Sequence, residues 1–148
     1  MKIGVSNHEA DKQAEIIKRL RKYREMVANY QACKDLYDQL FPSGTQMLTD
    51  MPKAQTSTYE VERWADKRWS QSERMKRSLD DMREALEDIE QLVSLVDGNY
   101  NTVLVRRYML NESYEAIAER LHYCDRQVIR IHNRAIEKIA ETMSVNVT

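Results

Sequence analysis

The chain has 148 residues, of which only three are glycine and two are proline. An all-β fold of this length needs many tight turns, which draw on glycine and proline, so the composition favours long helices. Charged residues make up 32% of the chain and hydrophobic residues 42%. This balance is typical of elongated helices with narrow apolar seams, and the length suggests one domain or two small units.

The chain is close to electrically neutral, since 23 Lys and Arg stand against 24 Asp and Glu. Binding to nucleic acid would therefore need a local basic face. Cys33 and Cys124 lie far apart without CxxC spacing, as expected of free thiols in a reducing compartment. We see no signal-peptide core and no apolar run of membrane-spanning length, so we expect a cytoplasmic protein that does not enter a membrane.

The first predicted helix runs from about Asn7, a candidate N-cap, to Phe41. Between Ile16 and Tyr30 its apolar residues are separated by gaps of 4, 3, 4 and 3, the alternation of a coiled-coil seam. The segment from Pro42 to Thr58 is rich in turn-forming residues and is predicted to be a connection. Two interpretations of it stay open: a mobile linker, or a loop that packs through Met47, Leu48 and Met51.

A second long helix is predicted from Ser57 or Thr58 to Asp97, with Gly98 as its C′ residue. From Met75 to Val96 its apolar residues follow three uninterrupted heptads. Two helices of similar length joined by one connection predict a long antiparallel hairpin over residues 1–98. Such a hairpin buries little by itself, so we expect it to pack on a third helix, on a second copy of the chain as a dimer, or on a partner.

Residues 99–148 predict a second domain of three helices. These are Asn101–Leu110, Tyr114–Leu121 with Ser113 as N-cap, and Asp125–Thr142. The last two carry facing apolar residues, which are Ile117, Ala118 and Leu121 on one helix and Val128, Ile131 and Ala135 on the other. This spacing is typical of a helix-turn-helix, whose second helix enters the DNA major groove. The sequence thus predicts an all-α fold in which a helical hairpin precedes a three-helix helix-turn-helix module.

The polar side of the last helix supplies the candidate DNA contacts. At about 100° per residue, it lies opposite the stripe formed by Val128, Ile131, Ala135 and Ile139. Arginine can bond guanine or phosphate, and Gln and Asn can bond adenine. The candidates are Arg126, Gln127, Arg130, Asn133 and Arg134. A solvated structural face is the alternative interpretation.

Arg106 and Arg107 are candidates for flanking phosphates, although Arg106 could equally brace the module. Trp64 and Trp69 lie in a basic stretch, residues 63–77, which predicts either packing on a neighbouring helix or nucleic-acid binding. The acidic stretch that follows, residues 80–90, predicts either a solvated coiled-coil face or a protein-docking surface.

Enzyme chemistry and bound cofactors are not expected. The chain has no Gly-rich phosphate loop and no nucleophile with a nearby base. His122, Cys124 and His132 fit no zinc spacing, and His132 lies at the edge of the apolar stripe. We therefore predict that His132 is packed or hydrogen-bonded and that the chain holds no metal.

The segment Val103–Ile139 (VLVRRYMLNESYEAIAERLHYCDRQVIRIHNRAIEKI) resembles region four of sigma-70-type factors. The chain resembles more closely the RinA-like and ArpU-like late transcription regulators of phages, also through the DMPK run at 50–53 and the RIHNRA run at 130–135. The resemblance implies control of phage genes through promoter DNA, with RNA polymerase as a further partner. His122 departs from the usual turn glycine, a position that favours φ > 0, and Cys124 from the usual Ser or Thr cap.

Two other functions remain open on sequence grounds. A DNA-packaging factor similar to a terminase small subunit also combines a helix-turn-helix with oligomerisation helices, although there the DNA-binding module usually comes first. Alternatively, the region-four-like end only docks on RNA polymerase and binds no DNA by itself.

Overall fold

The computed structural model describes residues 2–42 and 57–147. These residues form helices and no strand, so the predicted all-α fold class is confirmed. The α-helices are α1 (Lys2–Leu40), α2 (Thr58–Ser94), α3 (Gly98–Leu104), α4 (Tyr114–Leu121) and α5 (Asp125–Val147). None of the helices described is both long and apolar enough to cross a membrane. The predicted packing of Met47, Leu48 and Met51, and the DMPK run, lie outside the described residues.

The predicted start of the first helix and the predicted end of the second are wrong. Helix α1 begins at Lys2, so Asn7 lies inside the helix and cannot be its N-cap. Helix α2 ends at Ser94 because its last turn tightens: the amide of Val96 donates to the carbonyl of Val93 over 3.4 Å. Gly98 instead opens α3, with a φ of 61° that glycine adopts without steric cost.

The chain forms two compact units. Neither unit begins or ends at Gly98, where the sequence predicted the domain boundary. The first contains the described residues of 1–26 and 86–148, and the second is Val27–Ala85. In the first unit, Ile16 and Leu20 of α1 join the core that the end of α2 forms with α3 and α5. The final part of the chain therefore shares one core with residues far away in sequence.

The second unit is built from the facing parts of α1 and α2. The Tyr37 hydroxyl lies 3.1 Å from the Ser72 hydroxyl. The guanidinium of Arg68 donates to the carbonyl of Leu40 and lies 4.8 Å from the centre of the Phe41 ring. The heptad residues of this unit, such as Val27 and Leu79, are half-buried. The full antiparallel hairpin stays a prediction.

A π-helical turn, Val105–Met109, replaces the end of the predicted helix Asn101–Leu110. Its widening is visible in the bond from the Leu110 amide to the Val105 carbonyl, at 3.0 Å. The extra residue in the turn directs Tyr108 into the core. Asn111 follows with a φ of 57° and reverses the chain towards α4.

Helix α4 spans Tyr114–Leu121, as predicted, and Ser113 is its N-cap. The Ser113 hydroxyl accepts a hydrogen bond from the Ala116 amide at 3.1 Å. The helix ends at His122, which has a φ of 60° and a ψ of 40°. The amide of Tyr123 then donates to the carbonyl of Ala118 at 2.9 Å, the bond typical of a glycine-ended helix. Histidine thus adopts the left-handed conformation expected at this turn.

Helix α5 begins at Asp125, as predicted, and continues beyond the predicted end at Thr142. The carbonyl of Cys124 accepts from the amides of Gln127 and Val128, at 3.1 and 3.2 Å. The turn between α4 and α5 is closed by a small core of its own. It consists of Val103, Ile117, Ala118 and Val128, with Leu121 and Ile131 packed at its edge. This core fixes the angle at which α5 leaves the turn.

Candidate nucleic-acid interface

Helix α5 has one buried side, and the predicted stripe lies on it. Val128, Ala135 and Ile139 are fully buried, and Ile131 is half-buried. The structure adds His132 and Ile136 to this side. Ile136 was missed although its position on the wheel, next to His132 and Ile139, already indicated burial.

The opposite side of α5 is exposed and carries all five predicted candidates. These are Arg126, Gln127, Arg130, Asn133 and Arg134. Within residues 2–42 and 57–147, neither Arg126 nor Arg130 forms an ion pair. Ile129, with 40% of its surface exposed, lies between them in sequence. The guanidinium groups of Arg126 and Arg130 therefore face solvent with their charge uncompensated.

Arg134 differs from the other two arginines because it is held by acids of its own helix. Its Nη1 lies 2.8 Å from Glu137 Oε2 and 3.8 Å from Glu141 Oε1. The hydrogen bond to Glu137 and the charge of Glu141 raise the pKa of the Arg134 guanidinium. The spacing of three and seven residues already placed these groups on one face, so this pairing was predictable from the sequence. Of the candidate arginines, Arg134 has the most of its charge balanced.

Arg107 and Arg106 occupy different environments on the π-helical turn. The Arg107 guanidinium lies 4.4 Å from the centre of the Tyr114 ring and donates to the Glu112 carbonyl at 3.2 Å. Arg106 pairs with the Glu112 carboxylate at 3.2 Å, and Arg120 of α4 reaches the same oxygen at 3.2 Å. Of the two interpretations of Arg106, this geometry favours bracing.

His132 is hydrogen-bonded inside the core, in agreement with its predicted role. Its Nε2 lies 2.6 Å from the Tyr108 hydroxyl, and its Nδ1 lies 3.0 Å from Asn133 Oδ1. Since Oδ1 only accepts, we assign the ring proton to Nδ1, which leaves Nε2 to accept from Tyr108. The Tyr114 ring meets the His132 ring edge to face at 5.6 Å.

Burial keeps this network neutral. It lowers the pKa of His132 despite the hydrogen bond that the ring donates to Asn133, and the charges of Arg107 and Arg21 lower it further. Burial also raises the pKa of Tyr108 to about 12. Both groups are uncharged at neutral pH, so the network positions Asn133 without adding charge beneath the exposed face. Sequence reasoning missed Tyr108, since nothing in a local pattern indicates a partner 24 residues away.

Two further arginines, Arg21 and Arg24 of α1, lie in the first unit beside Arg107. They line a cleft of about 200 Å³ that also involves Asn111 and Tyr114. Their heptad positions on α1 indicated exposure, but no local pattern indicated that α1 reaches the turn before α4.

The other sequence candidates fall outside this face. In the second unit, Trp64 is half-buried under Arg68, whereas Trp69 is 66% exposed with the Lys76 ammonium 5.9 Å from its ring centre. The described part of the chain contains no group of three His, Cys, Asp or Glu side chains suited to a metal ion. Both cysteines are free thiols.

The exposed face of α5 can make two kinds of contact. Guanidinium groups can bond phosphates or guanine edges in a bidentate manner, and the Gln127 and Asn133 amides offer both donors and acceptors. Comparison of the chain with models of protein families, with curated proteins and with solved structures found no match in any of the three.

Proposed function

We propose that this protein binds duplex DNA in a sequence-specific manner through α5 and regulates transcription. The observation that carries the proposal is the position of Arg126 and Arg130, one helical turn apart and without acidic partners among the described residues. A solvated structural face usually alternates acids with bases. The proposal interprets α4, the turn at His122 and α5 as a helix-turn-helix, with α5 in the major groove.

The side chains on the exposed face of α5 would contact different groups of the DNA. Arg126 and Arg130 suit guanine O6 and N7 or phosphate oxygens, and Gln127 and Asn133 suit adenine. The Asn133 side-chain oxygen accepts from His132, which fixes the amide and leaves its NH₂ group free to donate. Because the hydrogen bond to the buried His132 already orients the Asn133 side chain, Asn133 would lose little side-chain entropy on binding.

In this proposal Arg134 and Arg107 contribute less to DNA binding than Arg126 and Arg130. Arg134 is balanced by Glu137 and Glu141, which would have to release it before it could contact a phosphate. Arg107 is oriented by Tyr114 and suits a phosphate beside the groove. Because the overall charge is close to neutral, the proposal depends on a local basic face such as this one.

The regulatory part of the proposal rests on the resemblance of Val103–Ile139 to region four of sigma-70-type factors. It implies promoter DNA of phage late genes as the target and RNA polymerase as a second partner. The cytoplasmic setting is proposed from the free thiols, and the dimer from the apolar face that a two-helix hairpin would leave uncovered. A protein that only docked on polymerase would leave Arg126 and Arg130 without a role in DNA binding, so purified components separate the two functions.

The test begins with selection of bound duplexes from random or phage DNA by the purified protein alone. The selected duplex is then titrated with the wild type, Arg126→Ala and Arg130→Ala, and with Lys34→Ala, which removes one exposed charge from α1 outside this face. We expect Arg130→Ala to weaken binding by about 1–3 kcal/mol and Lys34→Ala to leave it nearly unchanged. Failure of the wild type to select any duplex, or equal effects of all three substitutions, would overturn the proposal.

A further inference from the structure

The cleft beside Arg107 concentrates positive charge from two distant parts of the chain. Arg21 and Arg24 reach it from α1, and Arg107 reaches it from the π-helical turn. Its remaining lining residues are Tyr108, Asn111 and Tyr114, so no acid from the described part of the chain lines the cleft. All six residues belong to the first compact unit.

The three guanidinium groups are not neutralised by nearby carboxylates. Within the described residues, Arg21 and Arg24 form no ion pair, and both are exposed. The carboxylate of Glu112 already pairs with Arg106 and Arg120, and only its carbonyl accepts from Arg107. Three like charges around one cleft repel one another unless an anion lies between them.

The charge of the cleft also reaches the buried network beneath it. The Arg21 and Arg107 charges both lower the pKa of His132, and both act against the burial that raises the pKa of Tyr108. Arg21 on α1 and Arg107 on the π-helical turn thus both make the electrostatic potential at His132 more positive. Arg107 is held in place by its stacking on Tyr114, which orients one wall of the cleft before any ligand arrives.

We propose that Arg21, Arg24 and Arg107 together bind one phosphate group, with the Asn111 amide at the edge of the site. Guanidinium forks bond phosphate oxygens bidentately, and a set of three supplies enough charge for a dianion or for a phosphodiester with a bridging water. The phosphate we expect is a phosphodiester of the DNA backbone, so this source rests on the function proposed above. Helix α1 would then take part in DNA binding together with α5.

The test uses the full chain, a selected duplex and a double variant, Arg21→Ala/Arg24→Ala. The matched control is Lys18→Ala/Lys22→Ala, which removes two exposed charges from the same helix outside the cleft. Affinity is measured across about 50 to 200 mM salt for the selected duplex and for an unrelated one. Circular dichroism and thermal unfolding establish that both variants are folded, and Arg21→Lys/Arg24→Lys retains the charge.

We expect the arginine variant to lose about tenfold in affinity for both duplexes and to reduce the slope of log K against log salt by about 1. The control should change both much less, and the lysine variant should retain most of the salt slope. Because phosphate contacts do not read bases, the preference for the selected duplex should remain.

Three outcomes of these measurements support or overturn the proposed phosphate site. If the wild type binds DNA but the arginine and control variants behave alike, the cleft is not a phosphate site, whereas the proposed function stands. If the wild type binds no duplex, the proposed function fails, and inorganic phosphate and tripolyphosphate are then titrated against the free protein. Saturable binding that Arg21→Ala/Arg24→Ala removes would support a site for a free phosphate compound, and its absence would overturn the inference.

Discussion

The hydroxyl of Tyr108 lies 2.6 Å from Nε2 of His132, and both side chains are buried in the first unit. This bond joins the π-helical turn to α5 directly beneath the exposed basic face. In the same turn the Leu110 amide bonds the Val105 carbonyl five residues back, and Tyr108 is the buried residue of this turn.

Removal of the Tyr108 hydroxyl should destabilise the protein. In Tyr108→Phe, Nε2 of His132 loses its donor in a buried position, and an unsatisfied buried acceptor costs about 1–3 kcal/mol. Urea unfolding followed by circular dichroism measures this loss. The control is Tyr23→Phe, whose hydroxyl bonds Glu90 at an exposed site and should matter less. Equal losses for both variants would contradict a special role for the buried bond.

The His132 network also predicts a pH dependence of stability. Because burial lowers the pKa of His132 below its ordinary value of 6.5, the unfolded chain binds the proton first as the pH falls. The stabilising contribution is therefore complete above pH 6.5 and is lost below it, at a slope of up to about 1.4 kcal/mol per pH unit.

The measurement compares the free energy of unfolding of the wild type with that of His132→Gln at several pH values. Subtracting the two removes the titration of carboxylates, which both proteins share. The difference should shrink as the pH falls below the ordinary histidine value. A difference that stays constant would mean that His132 titrates alike in the folded and unfolded chains.

Arg130→Lys distinguishes base contact from phosphate contact at the same position. Lysine keeps the charge but lacks the planar fork that bonds guanine in a bidentate manner. If Arg130 reads a base, the variant should lose about 1–3 kcal/mol of preference for the selected duplex while its binding to unrelated DNA is nearly unchanged. Anisotropy titrations of both duplexes at one salt concentration measure this, and an unchanged preference would assign Arg130 to the phosphate backbone.

Loss of the cap on α4 should be measurable apart from DNA binding. Ser113→Ala leaves the Ala116 amide without its side-chain acceptor and should cost about 1 kcal/mol of unfolding free energy. Ser70→Ala, at an exposed position within α2, should be neutral or slightly stabilising because alanine favours helix. Equal midpoints for the two variants in thermal unfolding would contradict the capping role.

Local chemistry made the region around α4 predictable. Ser113 offers a hydroxyl acceptor ahead of an apolar run, and the apolar faces around Ile117 and Val128 repeat with a helical period. The start of α5 follows from the same short-range pattern, whereas the left-handed turn at His122 was expected only from the resemblance to region four of sigma-70-type factors. The stripe of Val128, Ala135 and Ile139 was therefore predicted, whereas Ile136 and Ala140 were missed. The exposed positions of the five candidate residues follow from that stripe.

Contacts between residues that are far apart in the chain could not be predicted from the sequence. The placement of Arg21 beside Arg107, and of Tyr108 beside His132, depends on how distant helices pack, which no local period encodes. The π-helical turn was missed because the shift of its hydrogen bonds by one residue has no distinctive local sequence pattern. Asn7 was wrong as a cap because α1 begins at Lys2 and continues through Gly4, Val5 and Ser6, whose weak helix propensities gave no indication of this.

The core of the first unit also bears on how the chain reaches its native state. Ile16 and Leu20 are among the earliest core residues to leave a ribosome, and Ile136 and Ile139 are among the last. During synthesis this core therefore cannot form until nearly all of its residues have left the ribosome. Bringing together residues that are separated by so long a stretch of chain also slows folding. A fragment starting at Asn99 would expose Leu104 and Ile139 to water, so biochemistry on the C-terminal segment calls for the intact polypeptide.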